Sequence, residues 1–240
     1  MKLAIFQMHI EENPELNINK VCDYTKDLEN HVILLPELFT TGFDYKLIEE
    51  ITEKHIELLY KLPDNNIYLG SVARQIDNKR YNSFFVKNNE SLSFPYDKMH
   101  LFPLLNEGSY FSSGIDPGVF SIYGTDCGAS ICFDLRYPEL MRVYFRKNVS
   151  IIFLPAEWPL ARKEHLEVLS RARAIENQCF MVVCNTVGKV GDEIFAGCSS
   201  VIDPWGEYQI KLQDETDKIA TTELNLNLIE EVRNKLPLGQ

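Results

Sequence analysis

The chain has 240 residues, 45% hydrophobic and 25% charged, an ordinary globular composition that suits one sizeable domain over 1–240 and not two comfortable ones. A formal net charge of -11 and a pI near 5.0 argue against nucleic acid or an anionic membrane surface as a partner. An anionic substrate would need a local cation to overcome that field.

Residues 3–8 read as a strand, but Gln7, His9, Glu11 and Glu12 interrupt the apolar start, so it is neither a secretory leader nor a membrane span. Asn13-Pro14 opens a helix, with Asn as cap and Pro in the first turn. Leu16, Val21, Tyr24 and Leu28 give that helix an apolar face. Residues 31–35 form a buried strand. Residues 45–62 predict an amphipathic helix, with Ile48, Ile51, Ile56, Leu59 and Leu62 at helical intervals. Strands follow at 67–76, 81–87 and 92–96, separated by polar turns at 77–79 and 88–90. A long polar loop runs from Lys98 to about Gly118, and loops of that length in compact domains are usually functional. Strands at 119–123, 127–131 and 149–154, with helices at 140–146 and 164–176, fill the middle of the chain. Strands at 180–187, 195–202, 207–212 and 220–224 and a helix at 226–235 complete it. Strands with interspersed helices define an α/β layered domain. Cysteines 22, 127, 132, 179, 184 and 198 lie mostly in apolar runs without metal-ligand spacing, which favours a reduced, cytoplasmic setting over a disulfide framework.

One cysteine stands apart. Gly128-Ala129-Ser130-Ile131 is a small and apolar strand that ends at Cys132, and Phe133-Asp134-Leu135-Arg136-Tyr137-Pro138-Glu139 then turns toward a helix. Two other segments share that shape. Val32-Ile33-Leu34-Leu35-Pro36 delivers Glu37, and Leu92-Ser93-Phe94-Pro95-Tyr96-Asp97 delivers Lys98. Taken singly, the cysteine reads as a small buried hydrophobe, the glutamate as a turn carboxylate and the lysine as a solvated charge. Together, a base, a cation and a thiol at three strand ends make an acyl-transfer site.

The flanks of these residues resemble the three signature motifs of the nitrilase superfamily, the carbon–nitrogen hydrolases, in the family's order. They are Leu-Pro-Glu-Leu-Phe-Thr-Thr-Gly-Phe around Glu37, Tyr-Asp-Lys-Met-His-Leu-Phe around Lys98 and Ile-Cys-Phe-Asp-Leu-Arg-Tyr-Pro-Glu around Cys132. The likeness continues through 171–178 and 197–206 and covers nearly the whole chain. It implies a four-layer α-β-β-α sandwich with the site at strand ends, and a homodimer paired through one helical layer. The segment after Cys132, with Pro-Ala-Glu-Trp-Pro at 155–159, is most similar to the ω-amidase branch, although Glu157 stands where many relatives lead one to expect asparagine.

In that reading Cys132 is the nucleophile. Lys98 stabilises the thiolate and then the oxyanion, the Phe133 N–H is the second oxyanion donor, and Glu37 moves the protons. The thiol needs either a lowered pKa or the nearby base. Attack gives a thioester, ammonia leaves, and water releases the acid, with no metal or organic cofactor. Composition alone makes Glu107 a solvated loop carboxylate, whereas the resemblance implies a second glutamate that holds the lysine or positions substrate. Arg136 either pairs with Asp134 or Glu139 or clamps a substrate carboxylate. Trp158 is a pocket wall or a packed core residue, and Glu157 a polar contact. Asp134 is structural near the turn, and Arg173 and Glu176 are spaced for an ion pair. The leading expectation is cleavage of the terminal amide of a small carboxylate-bearing substrate of the 2-oxoglutaramate or 2-oxosuccinamate type. The alternatives are another amidase of the superfamily, acting on an N-carbamoyl compound or a deaminated peptide amide, and a non-catalytic interaction protein with this fold.

Overall fold

A computed structural model describes residues 1–50, 53–190, 193–213 and 216–239. In chain order, β1 (Lys2–Gln7), α1 (Pro14–Thr25), β2 (Val32–Leu34), α2 (Tyr45–Glu49), α3 (Glu53–Glu57), β3 (Ile67–Ile76), β4 (Lys79–Lys87) and β5 (Leu92–Asp97) come first. Then follow β6 (Gly118–Ile122), β7 (Thr125–Ala129), α4 (Pro138–Arg146), β8 (Ile151–Ala156), α5 (Lys163–Asn177) and β9 (Phe180–Asn185). The chain ends with β10 (Val187–Val190), β11 (Glu193–Ala196), β12 (Ser200–Ile202), β13 (Tyr208–Lys211), β14 (Lys218–Glu223) and α6 (Asn227–Lys235).

Two six-stranded sheets are ordered β14-β1-β2-β3-β4-β5 and β13-β12-β9-β8-β7-β6. The strands β1, β2 and β3 run parallel at the centre of the first, as do β7, β8 and β9 in the second. Antiparallel strands flank both centres. Central parallel strands are covered on both faces, which is why Val32-Ile33-Leu34-Leu35 and Ile151-Ile152-Phe153-Leu154 are unbroken apolar runs.

Alternate side chains along a strand sort into layers. Ala4, Phe6, Ile33, Leu35, Tyr68 and Phe85 pack against Ile18 and Val21 of α1 and against Leu59. Their neighbours Leu3, Ile5, Val32, Leu34, Leu69 and Phe84 instead share a cluster with Cys127, Ala129, Phe153 and Val183 of the second sheet. Leu140, Met141 and Tyr144 of α4 and Leu166 and Ala174 of α5 belong to that cluster too, from the far side. The result is the four-layer α-β-β-α sandwich. Among the described residues no helix is long and apolar enough to cross a membrane.

The elements differ from expectation in three places. The segment 45–62 is not one helix but α2, α3 and a 3-10 turn, Leu58–Lys61; residues 51 and 52, and with them the expected apolar position Ile51, lie outside the described residues. The strand expected at 195–202 is divided into β11 and β12 because Gly197 and Cys198 adopt left-handed φ of 63° and 58°. A Cβ at Gly197 would lie 2.1 Å from the Gln7 side chain, so only glycine fits the turn. The loop expected from Lys98 to Gly118 is compact, with 3-10 turns at Pro103–Leu105 and Glu107–Ser109 around a left-handed Asn106.

Candidate active site

The ends of β2, β5, β7 and β8 converge, and each delivers one group. Glu37 follows β2 by three residues and Cys132 follows β7 by three, while Lys98 and Glu157 directly follow β5 and β8. The Glu37 N–H donates to the carbonyl of Ala156 at 3.5 Å, and the Glu157 N–H donates back to Glu37 Oε2 at 3.1 Å. These bonds cross from one sheet to the other, so the site straddles the sandwich.

Lys98 is the electrostatic centre. Its Nζ donates to Glu37 Oε1 at 2.8 Å and to Glu107 Oε1 and Oε2 at 3.0 and 2.8 Å, and all three side chains are fully buried. Burial alone would lower its pKa, but the carboxylates of Glu37 and Glu107 reverse this and raise it, so Lys98 is held as an ammonium. Asn82 Nδ2 donates to Glu37 Oε1 at 2.8 Å and to Glu107 Oε1 at 3.4 Å. The Phe102 N–H donates to Glu107 Oε2 at 2.6 Å. Glu107 is therefore a buried partner of the lysine and not a solvated loop carboxylate. Its pKa is raised by burial despite the neighbouring ammonium.

Cys132 begins a 3-10 turn, Cys132–Arg136, with a left-handed φ of 45°. That conformation is strained for a residue with a Cβ and persists where the surroundings over-determine it. Asp134 supplies the surroundings. It accepts from the Ile131 N–H at 2.9 Å, from Tyr96 Oη at 2.8 Å and from the His100 N–H at 3.0 Å, and it pairs with His100 Nδ1 at 2.7 Å. His100 is thus spent on the turn and stacks on Tyr137 at 3.5 Å. Replacing Asp134 by Ala orphans these donors at a buried position, each worth about 1–3 kcal/mol. We expect Asp134→Ala to lose about 3 kcal/mol in a denaturant melt, with Asp134→Asn recovering part of it.

The Cys132 thiol has a pKa well above its usual value, first because of burial, then because of the Glu37 carboxylate, with Lys98 opposing both. Of the two routes to a nucleophile, the structure therefore favours a neutral thiol beside a base over a preformed thiolate. Glu37 is the adjacent acceptor.

The cavity above the thiol holds about 320 Å³ of atom-free space, part of it open to solvent. Phe43, Phe102, Phe133 and Trp158 form its apolar walls. Its mouth carries two guanidinium groups. Arg136 lies 4.7 Å over the Trp158 ring, and Arg162 lies 5.5 Å from the Phe102 ring centroid. Arg136 pairs with neither Asp134 nor Glu139; its Nη2 lies 3.3 Å from His165 Nδ1. Burial and then the charge of Arg162 lower its pKa. Arg173 and Glu176, by contrast, form the expected ion pair at 2.9 Å.

The structure lines one pocket with Lys98, Cys132, Phe133, Arg136, Glu157 and Trp158, and buries Glu37 and Glu107 against Lys98. Sequence reasoning missed Asn82, Phe43 and Arg162. Asn82 carried no clear signal, since β4 also holds Lys79, Arg80, Ser83 and Lys87. Arg162 carried none, since only the fold brings the 3-10 turn Leu160–Arg162 over the pocket.

A thiol, a carboxylate and a buried ammonium meet at the closed end of the cavity, a set of groups suited to acyl transfer. The carbon-nitrogen hydrolase family profile matches residues 2–234, and the chain belongs to that family. It is 36% identical to the 2-oxoglutaramate amidase of Bacillus subtilis, over 94% of this chain and 90% of the relative. It is 30% identical to an omega-amidase of Yersinia enterocolitica, over 87% of this chain and 83% of the relative. A CN-hydrolase superfamily protein from Xanthomonas campestris, solved with an arsenic adduct in its active site, superposes with a TM-score of 0.90 at 27% identity, covering 99% of this chain and 95% of that one.

Proposed function

We propose that the protein is an amidase of the ω-amidase type, cleaving the terminal amide of a small substrate whose other end carries a carboxylate. The observation that carries this reading is the pairing of a closed thiol-carboxylate-ammonium centre with a mouth of two guanidinium groups that have no carboxylate partner among the described residues. In an acidic chain such a mouth selects for an anionic tail, and planar guanidinium groups suit a carboxylate. The identity to the Bacillus subtilis 2-oxoglutaramate amidase supports the same class of tail.

The steps follow from the geometry. Glu37 takes the thiol proton as the Cys132 sulfur adds to the amide carbon. The carbonyl oxygen gains negative charge, which Lys98 Nζ and the Phe133 N–H stabilise. Glu37 then returns the proton to the departing nitrogen, the C–N bond breaks, and ammonia leaves behind a thioester. A water, deprotonated by Glu37, adds to the thioester carbon; the C–S bond breaks, the sulfur recovers a proton, and the acid is released. We further propose one catalytic domain over residues 1–240, working in the cytoplasm as a homodimer. The six free cysteines and the exposed apolar side chains of Val168 and Ile175 on α5 support this.

Ammonia release tests the reading with 2-oxoglutaramate, 2-oxosuccinamate, glutamine, asparagine and an N-carbamoyl amino acid. Release should be fastest from the 2-oxo amides. In an Arg136→Ala/Arg162→Ala variant, kcat/KM for these substrates should fall about 100-fold, in line with about 1.5–3 kcal/mol for a charged hydrogen bond, while a neutral amide such as butyramide is little affected. Turnover of only the N-carbamoyl compound would move the substrate, and an equal loss on neutral and anionic amides would remove the arginines from recognition.

A further inference from the structure

Glu157 is a carboxyl that the steps above do not use. It is 4% exposed, it faces both the thiol cavity and an adjoining groove, and its Oε2 is buried with no hydrogen-bond partner among the described residues. A buried polar atom left open in this way calls for an explanation, since its desolvation is otherwise uncompensated. The other two buried carboxyls differ. Glu37 accepts from Lys98, Asn82 and the Glu157 N–H, and Glu107 accepts from Lys98, Asn82 and the Phe102 N–H. Lys98 Nζ, Asn82 Nδ2 and the Phe102 and Glu157 N–H groups are all spent on those two.

Charge counting leads the same way. Glu37, Glu107 and Glu157 surround one cation, Lys98, in a site that excludes most water. Two carboxylates already exceed the ammonium, and the Oε2 of a third anion would have no hydrogen-bond donor among the described residues. The remaining charged or titratable groups around Glu157 are the Cys132 thiol and the guanidinium groups of Arg136 and Arg162, which line the same cavity without a hydrogen bond to Glu157 Oε2, and, across the groove, His9, Glu11, Glu12, Asp44 and Lys189. That rim adds three carboxyl groups against one lysine, so it does not favour another anion either. Burial first, and then the Glu37 carboxylate, push the Glu157 carboxyl well above the usual range.

We propose that Glu157 stands in the catalytic pocket as a neutral carboxylic acid, and that its uncharged carboxyl is the face that receives the NH2 group of a primary amide. This rests on the amidase reading above. A primary amide presents one oxygen and an NH2 group. The oxygen goes to Lys98 and the Phe133 N–H, which leaves the NH2 to find an acceptor. A neutral acid offers its carbonyl oxygen to that N–H without adding charge beside Glu37. Glu157 is then a positioning residue for the amide, and an isosteric carboxamide should replace it.

Infrared difference spectra of the whole protein, combined with pH–rate profiles for ammonia release, test this. The parent protein should show the carbonyl band of a protonated carboxylic acid at neutral pH, absent from Glu157→Gln. The sign of the pH effect follows from a raised folded-state value. The neutral form persists above the ordinary carboxylate range, and both stability and kcat/KM fall as Glu157 ionises at higher pH. Glu157→Gln should keep kcat/KM within about threefold at neutral pH and lose that alkaline fall, whereas Glu157→Leu should lose about 10–100-fold in kcat/KM. A missing band, or a 100-fold loss in Glu157→Gln, would show that the group works as an anion and overturn the proposal. Gln and Leu variants that both match the parent in rate and pH profile would overturn it as well. The band needs no substrate. If it is present and titrates while no amide is turned over, the amidase reading fails and the neutral acid stands. If amides are hydrolysed without the band, the reverse holds.

Discussion

Cys132→Ala and Glu37→Gln should be about equally inactive, each at least 10⁴-fold down in kcat, and the double variant no worse than either. The thiol is held in its neutral form by burial and by the facing carboxylate, so the centre has no standing thiolate to fall back on. A neutral thiol is a poor nucleophile, and the proton must reach Glu37 as the carbon–sulfur bond forms. Removing the acceptor therefore costs about what removing the sulfur costs, because neither group acts without the other. General base catalysis alone accounts for about 10²–10⁴ of the loss. The rest arises because Glu37 also returns the proton to the leaving nitrogen and activates the hydrolytic water. Stopped-flow ammonia release and mass spectrometry of the trapped acyl-enzyme read the two halves separately. A Glu37→Gln variant that still forms thioester at more than a tenth of the parent rate would show that another group, or Lys98 alone, activates the sulfur. Losses that multiply in the double variant would show that sulfur and carboxylate act in separate steps.

The three groups proposed to react were legible in the sequence for a physical reason. Each lies within three residues of the end of an apolar strand, and a strand in a sandwich has a fixed end where the next residues must face a loop. Glu37, Lys98 and Cys132 are displayed by that rule, and the fold places them within one buried network. The role of Asp134 was legible only in part. Its place beside the cysteine suggested a structural task, but its bonds to Tyr96 and His100 join segments far apart in the chain. Arg162 and Asn82 were not legible as members of the site, since no local pattern ties them to Cys132. Glu107 lay between the two cases. Its flanks are those of a solvated loop, and only the compact 3-10 turns of 103–109 bury it against Lys98. Loops hide their function in sequence because their shape comes from contacts made elsewhere. The divided strand at 195–202 shows the same principle in the fold: Gly197 breaks it to clear Gln7, a residue from the other end of the chain.

Lys98→Met should damage both stability and activity, and the two losses should respond differently to pH. Methionine fills much of the same volume, so packing changes little, but Glu37 Oε1 and both Glu107 carboxylate oxygens lose the ammonium they share. Breaking a buried pair by removing one partner costs about 3–5 kcal/mol, because the surviving charge remains desolvated. Here two carboxylates survive, and part of the cost is avoided when one of them binds a proton. Glu107 is the candidate, since burial already raises its pKa while Lys98 opposes the rise. Without Lys98 it rises further, the folded state binds a proton that the unfolded state releases, and stability grows as the pH falls. The gap in thermal midpoint between parent and variant should therefore be widest near about pH 8 and narrower near about pH 5. Turnover should not recover with it. Loss of one oxyanion donor costs about 10²–10³ in kcat, and protonating Glu107 restores no positive charge at the carbonyl oxygen. Differential scanning fluorimetry and ammonia release across that pH range separate the two effects. A melting gap that stays constant with pH would mean that the carboxylates find another counter-charge, and activity that returns together with stability would mean that Lys98 serves the fold and not the oxyanion.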